Sequence, residues 1–360
     1  MGEKQNISAA QRAANFAKCT RQNMHSMSKQ TAQGGGSTLQ FILPKNRLLS
    51  KILLSFDIKC KMKHESKTNF NGLDKLIPFK LVRRISMNLN NGFEPYVIAG
   101  DELAMLNMIS RQNAKYILDD VNNNTSGDGY GCWLNKSVNA TGAENTIKFN
   151  LEMPITLNDR DPVSMIMLQN EQTVVTITID MANGSEIFPA NSGFSCELIE
   201  TKCDLMTETF SIPANTDAFP DVSVLKITHS RNDSFVGAGQ HILKLSTGTI
   251  YRRMIMRFID ENGNPLSDDN ITSPIELVFN QADVNYSVMP SMLRAINTTY
   301  YGYTLPTGIY VFDFAYQGTV NLGGTRDYVD TERLTEFWLR FTSNKTCRVQ
   351  LVTETISRLV

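Results

Sequence analysis

Residues 286–342 are the stretch that decides the fold, YSVMPSMLRAINTTYYGYTLPTGIYVFDFAYQGTVNLGGTRDYVDTERLTEFWLRFT. Three apolar residues recur there at helical spacing and predict a short helix: Met289, Leu293 and Ile296. The turn sequence LPTG at 305–308 ends that segment, and the apolar run at 309–314 predicts a strand. A polar loop with charged residues at 326–333 leads to a second strand at 337–341. Strands separated by turns, around one short helix, indicate a β-rich domain.

Length and composition set the outer limits. The chain has 360 residues, enough for two domains that each bury their own core. Hydrophobic residues make up 41% and charged residues 20%, which is typical of a globular protein. No apolar run approaches the roughly 18 residues of a membrane-spanning helix, and the first 36 residues lack the apolar core of a signal peptide. The formal net charge of −1 predicts no specific nucleic-acid partner.

The six cysteines predict free thiols. They stand at positions 19, 60, 132, 196, 203 and 347, with no C-x-x-C spacing. Such dispersion favours neither a zinc site nor a disulfide framework. We therefore expect no metal and no cofactor.

The N-terminal segment predicts an amphipathic helical arm. Ser8 and Gln11 form a capping-box pattern, strong helix formers follow to about residue 30, and the glycines at 34–36 predict a flexible hinge. The apolar stripe of this helix is Ala9, Ala13, Phe16, Thr20, Met24 and Met27, and its basic back is Lys18, Arg21, His25 and Lys29. One interpretation is an arm that contacts an anionic membrane or a neighbouring subunit; the other is a helix docked on its own domain. The candidate membrane or assembly residues are Lys4, Arg12, Phe16, Lys18, Arg21, Met24, Met27 and Lys29.

Two β-rich halves follow the arm. Strands of the first half are predicted at 39–43, 52–62, 80–89, 146–153, 173–181, 197–201 and 205–212, with a helix at 102–117 capped by Asp101. Strands of the second half are predicted at 222–228, 241–245, 250–259, 274–279, 309–314, 337–341 and 348–356. The best linker is PANTDAFP at 213–220. We therefore predict an all-β fold of two serial jelly-roll β-sandwich barrels, with short helices and an N-terminal amphipathic helix, divided as 1–37, 38–212 and 213–360.

The order of these segments resembles the double jelly-roll major capsid proteins of tectivirus-type viruses, which are icosahedral and contain a membrane. The resemblance is most specific in 286–342 and at Val82-Arg83-Arg84-Ile85, where that family runs an apolar strand with a polar centre. It implies upright barrels in a pseudo-hexagonal homotrimer, with residues 8–30 pointing inward to an internal membrane. It also implies a virion location, assembly in the host cytoplasm, and contacts with neighbouring trimers and with minor capsid and vertex proteins. The longer loops, at 122–145, 183–193 and 260–273, become candidates for outward towers.

Catalytic constellations are missing from the sequence. The four histidines, His25, His64, His229 and His241, show no H-x-H spacing, and neither G-x-S-x-G nor H-E-x-x-H occurs. The Asp-Glu-Asn-Gly-Asn string at 260–264 and the Gly-Gly-Thr-Arg string at 323–326 lack the helical context of ion or phosphate loops, so both predict turns. We therefore expect no enzymatic activity.

One strand carries three arginines. Alternation places Arg253 and Arg257 on one face and Arg252 on the other. These arginines could bind phosphates, but the near-neutral chain favours pairing with carboxylates of a neighbouring subunit or barrel, such as Asp327, Asp330 or Glu332.

A second function from another class stays open. Tyr300, Tyr301 and Tyr303 form an aromatic cluster that could line the groove of a carbohydrate- or receptor-binding β-sandwich module. The capsid resemblance assigns the same cluster to packing between barrels.

Overall fold

The computed structural model describes residues 8–68, 74, 76–90, 92–110, 137–157, 162–169, 173–189, 191–315 and 328–358. Its helices are α1 (Ala9–Cys19), α2 (Gly100–Ser110) and α3 (Pro290–Tyr301). The strands of the first half are β1 (Gln22–Ser26), β2 (Gln30–Gln33), β3 (Thr38–Ile42), β4 (Leu48–Lys63), β5 (Val82–Leu89), β6 (Phe93–Ile98), β7 (Ala143–Pro154), β8 (Ile166–Met167), β9 (Val175–Met181) and β10 (Ser195–Phe210). The strands of the second half are β11 (Val224–Phe235), β12 (Gly239–Leu245), β13 (Ile250–Asp260), β14 (Ile275–Phe279), β15 (Asp283–Val288), β16 (Ile309–Asp313), β17 (Val329–Asp330), β18 (Phe337–Ser343) and β19 (Cys347–Arg358).

Within the described residues, three sheets form two barrels. The first sheet has the order β1-β10-β4-β7, with β2 also on β10 and β8 on β4. The shared sheet runs β16-β13-β19-β11-β6-β5-β9-β3 through both halves, with β17 on β13, and the outer sheet runs β12-β18-β14-β15. The two halves join where β6 and β11 pair in parallel. We call the first sheet with the β3, β5, β6 and β9 part of the shared sheet the first barrel, and the outer sheet with the rest of the shared sheet the second barrel.

Each barrel has its own apolar core. The first core joins the first sheet, for example Ile52 and Leu205, to Phe41 and Ile177 of the shared sheet. The second core joins Leu339 of the outer sheet to Met254, Met256 and Phe258 of β13. Inward apolar residues alternate with half-buried or exposed ones along β4, β10 and β18, as a sandwich requires. The predicted all-β class of two serial barrels is confirmed.

Several element predictions need correction. The helix expected to about residue 30 is wrong, because α1 ends at Cys19 and strands follow. The strands predicted at 197–201 and 205–212 are one strand, β10. Strands β6 and β15 were missed, since β6 contains Pro95 and β15 is mostly exposed and lacks an apolar run. Residues 111–117 of the predicted second helix, 122–136 of the predicted tower loop, Cys132 and the 323–326 string lie outside the described residues.

Candidate functional site: the N-terminal segment and the barrel seam

The N-terminal helix starts with the predicted capping box. The Ser8 hydroxyl accepts a hydrogen bond from the Gln11 amide at 3.2 Å, and the Gln11 side chain accepts one from the Ser8 amide at 3.1 Å. Thr20 takes extended angles, and both its amide and its hydroxyl donate to the Phe16 carbonyl, at 3.0 and 2.7 Å. These hydrogen bonds cap the C-terminal end of the helix after three turns.

Residues 22–33 then pair with β10 instead of continuing the helix. Gln22 to Ser26 lie antiparallel to Phe210 to Met206, and Gln30 to Gln33 lie along Cys203 to Glu200. The edge of β10 offers amides and carbonyls that would otherwise lack a strand partner, so pairing there outweighs local helix propensity.

The predicted glycine hinge is a docked turn. Gly34 and Gly36 take positive φ angles of 74° and 69°, which favour glycine. Their amides donate to Ile199 at 2.9 Å and to Ala182 at 3.4 Å. The turn therefore carries the chain from the first sheet to the shared sheet while bonded to both.

Phe16 anchors α1 to the first barrel. Its side chain is 4% exposed and packs with Leu48 and Met165. Its ring centroid lies 5.4 Å from that of Phe210. The helix also contacts the linker turn Thr216–Ala218.

The remaining predicted arm residues face different ways. Met27 is half-buried against the first core, whereas Met24 is 62% exposed. Lys29 lies 3.0 Å from Asp204, and both side chains are about half exposed. Lys18 and Arg21 are exposed, and Arg12 is half-buried. Lys4 lies outside the described residues.

The second candidate site is the seam, which we define as the face of β11, β13, β16 and β19 that packs on α2 of the first barrel. Helix α2 is buried from Gly100 to Ile109. The first core reaches across this boundary to Ile255, Val311 and Val352 of the second half. The seam therefore closes the first barrel with residues of the second.

One row of residues crosses the shared sheet at the seam. Register pairs join, in order, Phe41, Ile177, Met87, Tyr96, Thr228, Glu354, Arg253 and Asp313. The row is apolar or aromatic in the first half, and beyond Thr228 it is ionic in the second half.

The ionic half of the row is a buried network around Glu354. Arg252 and Arg253 lie 2.8 and 3.1 Å from one carboxylate oxygen, and Lys226 lies 3.6 Å from the other. A register shift between Tyr251 and Arg253 lets both adjacent arginines reach it. Arg253 also lies 3.0 Å from Asp313.

Burial and charge shift the pKa values in this network. Burial by itself would raise the pKa of Glu354, but Arg253, Arg252 and Lys226 lower it to about 2. Burial lowers the pKa of Lys226 to about 7, although Glu354 opposes this change. Burial and the neighbouring Asp101 raise the pKa of Glu102, on α2, to about 7.

The predicted carboxylate pairing of the arginines is found within the chain, with other partners than those named from the sequence. Arg257 pairs with Asp74 and lies 3.3 Å from Asp101. Asp327 lies outside the described residues. Sequence reasoning missed Lys226 and Glu354. The signal for Lys226 is a charge between apolar neighbours within a strand, VLKIT, whereas Glu354 stands between two threonines, TETI, and gives no such signal.

The tyrosine cluster packs between the barrels. Tyr301 is 5% exposed and donates to Asp313 at 2.9 Å, and Tyr303 donates to the Met108 carbonyl of α2 at 2.6 Å. Tyr300 is half-buried against the first core.

In the described ranges, no three His, Cys, Asp or Glu residues converge as metal ligands, and no helix is long and apolar enough to span a bilayer. The string 260–264 forms a turn in which Asp260 accepts from the amides of Asn262 and Asn264, at 2.9 and 2.8 Å. His229 and His241 bind different partners, the Glu94 carbonyl and the Ser343 hydroxyl.

Comparison with known proteins gives matches by structure only. No protein-family model and no curated protein sequence matches the chain. The MCP of STIV, the Sulfolobus turreted icosahedral virus, has a TM-score of 0.66 and 16% identity, covering 94% of this chain and 97% of that one. The PBCV-1 virus capsid has a TM-score of 0.64 and 9% identity, covering 94% of each chain. The major capsid protein P2 from bacteriophage PM2 has a TM-score of 0.53 and 9% identity, covering 94% and 98%. The chain thus has the double jelly-roll fold of viral major capsid proteins.

Proposed function

We propose that this protein is the major coat subunit of an icosahedral virus, a structural protein and not an enzyme. The observation that carries the proposal is the extent of the structural likeness, which covers almost the whole of both chains. Two barrels in one chain give three copies six similar lobes, a shape that tiles a hexagonal lattice. The finer proposal is a pseudo-hexagonal homotrimer that forms a shell over an internal membrane, in a tectivirus-like bacteriophage.

Electron microscopy of the purified protein tests the coat proposal. We expect negative-stain images of particles with a six-lobed, pseudo-hexagonal outline, and closed shells or lattice sheets at high protein concentration. Compact single-chain particles that never associate would contradict a coat role.

We further propose that the N-terminal segment faces the membrane. Docking on the first barrel leaves Lys18, Arg21, His25 and Met24 exposed. Each cation near an anionic surface contributes about 1 kcal/mol, an attraction that salt screens. One copy should bind weakly, and the many copies of a shell should bind strongly together.

Charge reversal tests the membrane proposal. We expect Lys18→Glu/Arg21→Glu trimers to bind phosphatidylserine vesicles several-fold more weakly than wild type at low salt. Lys61→Glu/Lys63→Glu is the matched control, because β4 pairing places these lysines at the opposite end of β10 from β1. Equal vesicle binding by both variants would remove the segment's proposed role.

The alternative is a carbohydrate- or receptor-binding module. Its only sequence support was the tyrosine cluster, of which Tyr301 and Tyr303 now have packing and hydrogen-bond roles at the seam. A glycan array would support this alternative if the wild type bound glycans and Tyr300→Ala, a half-buried position, abolished binding.

A further inference from the structure

We infer that the buried ionic seam locks the two barrels into one cooperative unit, which neither opens nor unfolds one barrel at a time. This inference concerns the single chain and is independent of the coat role.

The backbone connection between the halves of the shared sheet is short. Strands β6 and β11 pair only through Thr228 with Tyr96 and His229 with Val97. By contrast, β11 pairs with β19 along its whole length, from Val224 to Phe235. A ladder this short gives the barrels little resistance to rotation about the junction, so side chains must supply the rest.

Three cations of the second half contribute to that resistance, beside the apolar contacts across the seam, by binding the first half directly. Lys226 donates to the Thr156 carbonyl at 2.8 Å, just after β7. Arg253 donates to the Ser110 hydroxyl at 3.1 Å, at the end of α2. Arg257 binds Asp74 and Asp101, at the start of α2.

These contacts hold α2 at both of its ends. Asp101 and Ser110 are the second and last residues of the helix, and their partners Arg257 and Arg253 stand four residues apart on β13. Gln350 on β19 also donates to Asp101 at 3.4 Å and accepts from Arg257 at 3.0 Å. Sliding or rotating the second barrel would separate all of these pairs together.

Burial makes such separation costly. Arg257 is fully buried, Lys226 is 3% exposed and Arg253 is 7% exposed. A charge that loses its partner without reaching water is strongly destabilised, whereas an apolar contact can be exchanged for another. An ionic seam therefore permits one relative arrangement of the barrels.

Native-state hydrogen exchange on the full chain tests the inference. For wild type we expect the slowest amides of the first core (β4, β7) and of the second core (β18, β19) to share one opening equilibrium. A matched pair of variants then separates coupling from simple loss of stability. Arg340 lies 2.7 Å from Glu276, and both belong to the second barrel, so Arg340→Met removes an arginine–carboxylate pair within that barrel. Arg257→Met removes an arginine–carboxylate pair at the seam.

The inference predicts different responses to these two changes. In the wild-type background, Arg340→Met should accelerate exchange of the slowest amides in both halves by the same factor. In the Arg257→Met background, Arg340→Met should accelerate the exchange of the slowest amides in the second half only. If Arg257→Met fails to fold, the weaker Ser110→Ala change replaces it, and the difference between the halves should be smaller but present. Two separate opening equilibria in wild type, or an Arg340→Met effect confined to the second half of wild type, would overturn the inference.

Discussion

At the scale of single residues, Lys226 and Glu102 place two groups with pKa values near neutrality on opposite sides of the seam. Lys226 faces Glu354, Arg252 and Arg253, and Glu102 lies beside Asp101 on α2. Both are almost completely buried, so their charged forms are poorly solvated. Their protonation should therefore control stability as the pH changes.

We predict a minimum of stability near pH 7. The pKa of Glu102 rises from 4.5 to about 7 on folding, so its contribution to stability is present below pH 4.5 and lost as the pH rises to 7. The pKa of Lys226 falls from 10.5 to about 7, so its contribution is lost as the pH falls from 10.5 to 7. Each effect should be on the order of a few kcal/mol in urea unfolding.

Two variants test which group causes the change of stability on each side of the minimum near pH 7. Glu102→Gln should flatten the acidic side, and Lys226→Met should flatten the alkaline side. Lys63→Met, at an exposed lysine, should leave both sides unchanged. A stability that rises steadily from pH 4.5 to 7 in wild type would show that Glu102 is not the controlling group.

Gly100 is a second residue at which substitution should lower stability. A Cβ atom there would lie 2.3 Å from the Phe79 carbonyl oxygen and 2.8 Å from the Val82 Cβ atom. We predict that Gly100→Ala lowers the free energy of unfolding by about 1–3 kcal/mol or more, because the backbone carbonyl cannot move aside. Gly92→Ala, which has open space around it, is the control for denaturant midpoints and should change little. Equal midpoints for the two variants would mean that α2 can shift.

At the scale of elements, the N-terminal segment consists of two parts with different attachments. Helix α1 is held mainly through Phe16, whereas β1 and β2 are held by main-chain hydrogen bonds along β10. The strands also cover an edge that would otherwise be open to another chain. Deleting α1 alone and deleting α1 together with β1 and β2 should therefore have different effects on folding and solubility.

We predict that deletion of residues 1–20 leaves a soluble, folded protein, while deletion of residues 1–36 promotes aggregation. The longer deletion exposes the edge of β10 from Glu200 to Phe210. Size-exclusion chromatography and light scattering at matched concentrations measure the difference. Equal solubility of the two truncated proteins would show that the β10 edge needs no cover.

At the scale of the whole molecule, the first barrel depends on the second. The first core includes second-half residues such as Val311 and Val352, and the shared sheet continues through both halves. The division at residue 213 describes the order of the chain, and we propose it as the boundary of the two jelly rolls. It does not imply that either piece folds alone.

We predict that the purified chain is a homotrimer, because cyclic closure would bury the flanks of both barrels. Multi-angle light scattering should report three times the chain mass of 40.4 kDa at micromolar concentration. The same mass should persist after deletion of residues 1–20, since α1 packs on its own barrel. A stable single-chain mass would contradict the trimer.

The sequence by itself determined the elements whose signal is local. Alternating apolar residues predicted β4, β7, β9 and β18, and the Ser8/Gln11 capping box predicted where α1 begins. The count of turn-separated strands predicted two sandwiches, because side-chain period and turn chemistry act over a few residues.

Only the tertiary structure decided where α1 ends and which charges are buried together. Residues 22–33 have helix-compatible composition, yet the edge of β10, distant in sequence, supplies stronger partners. Arg257 meets Asp101 across 156 residues, and Glu354 meets Lys226 across a strand pair. Such contacts depend on strand order and register, which a single sequence encodes only through the packing of the whole molecule.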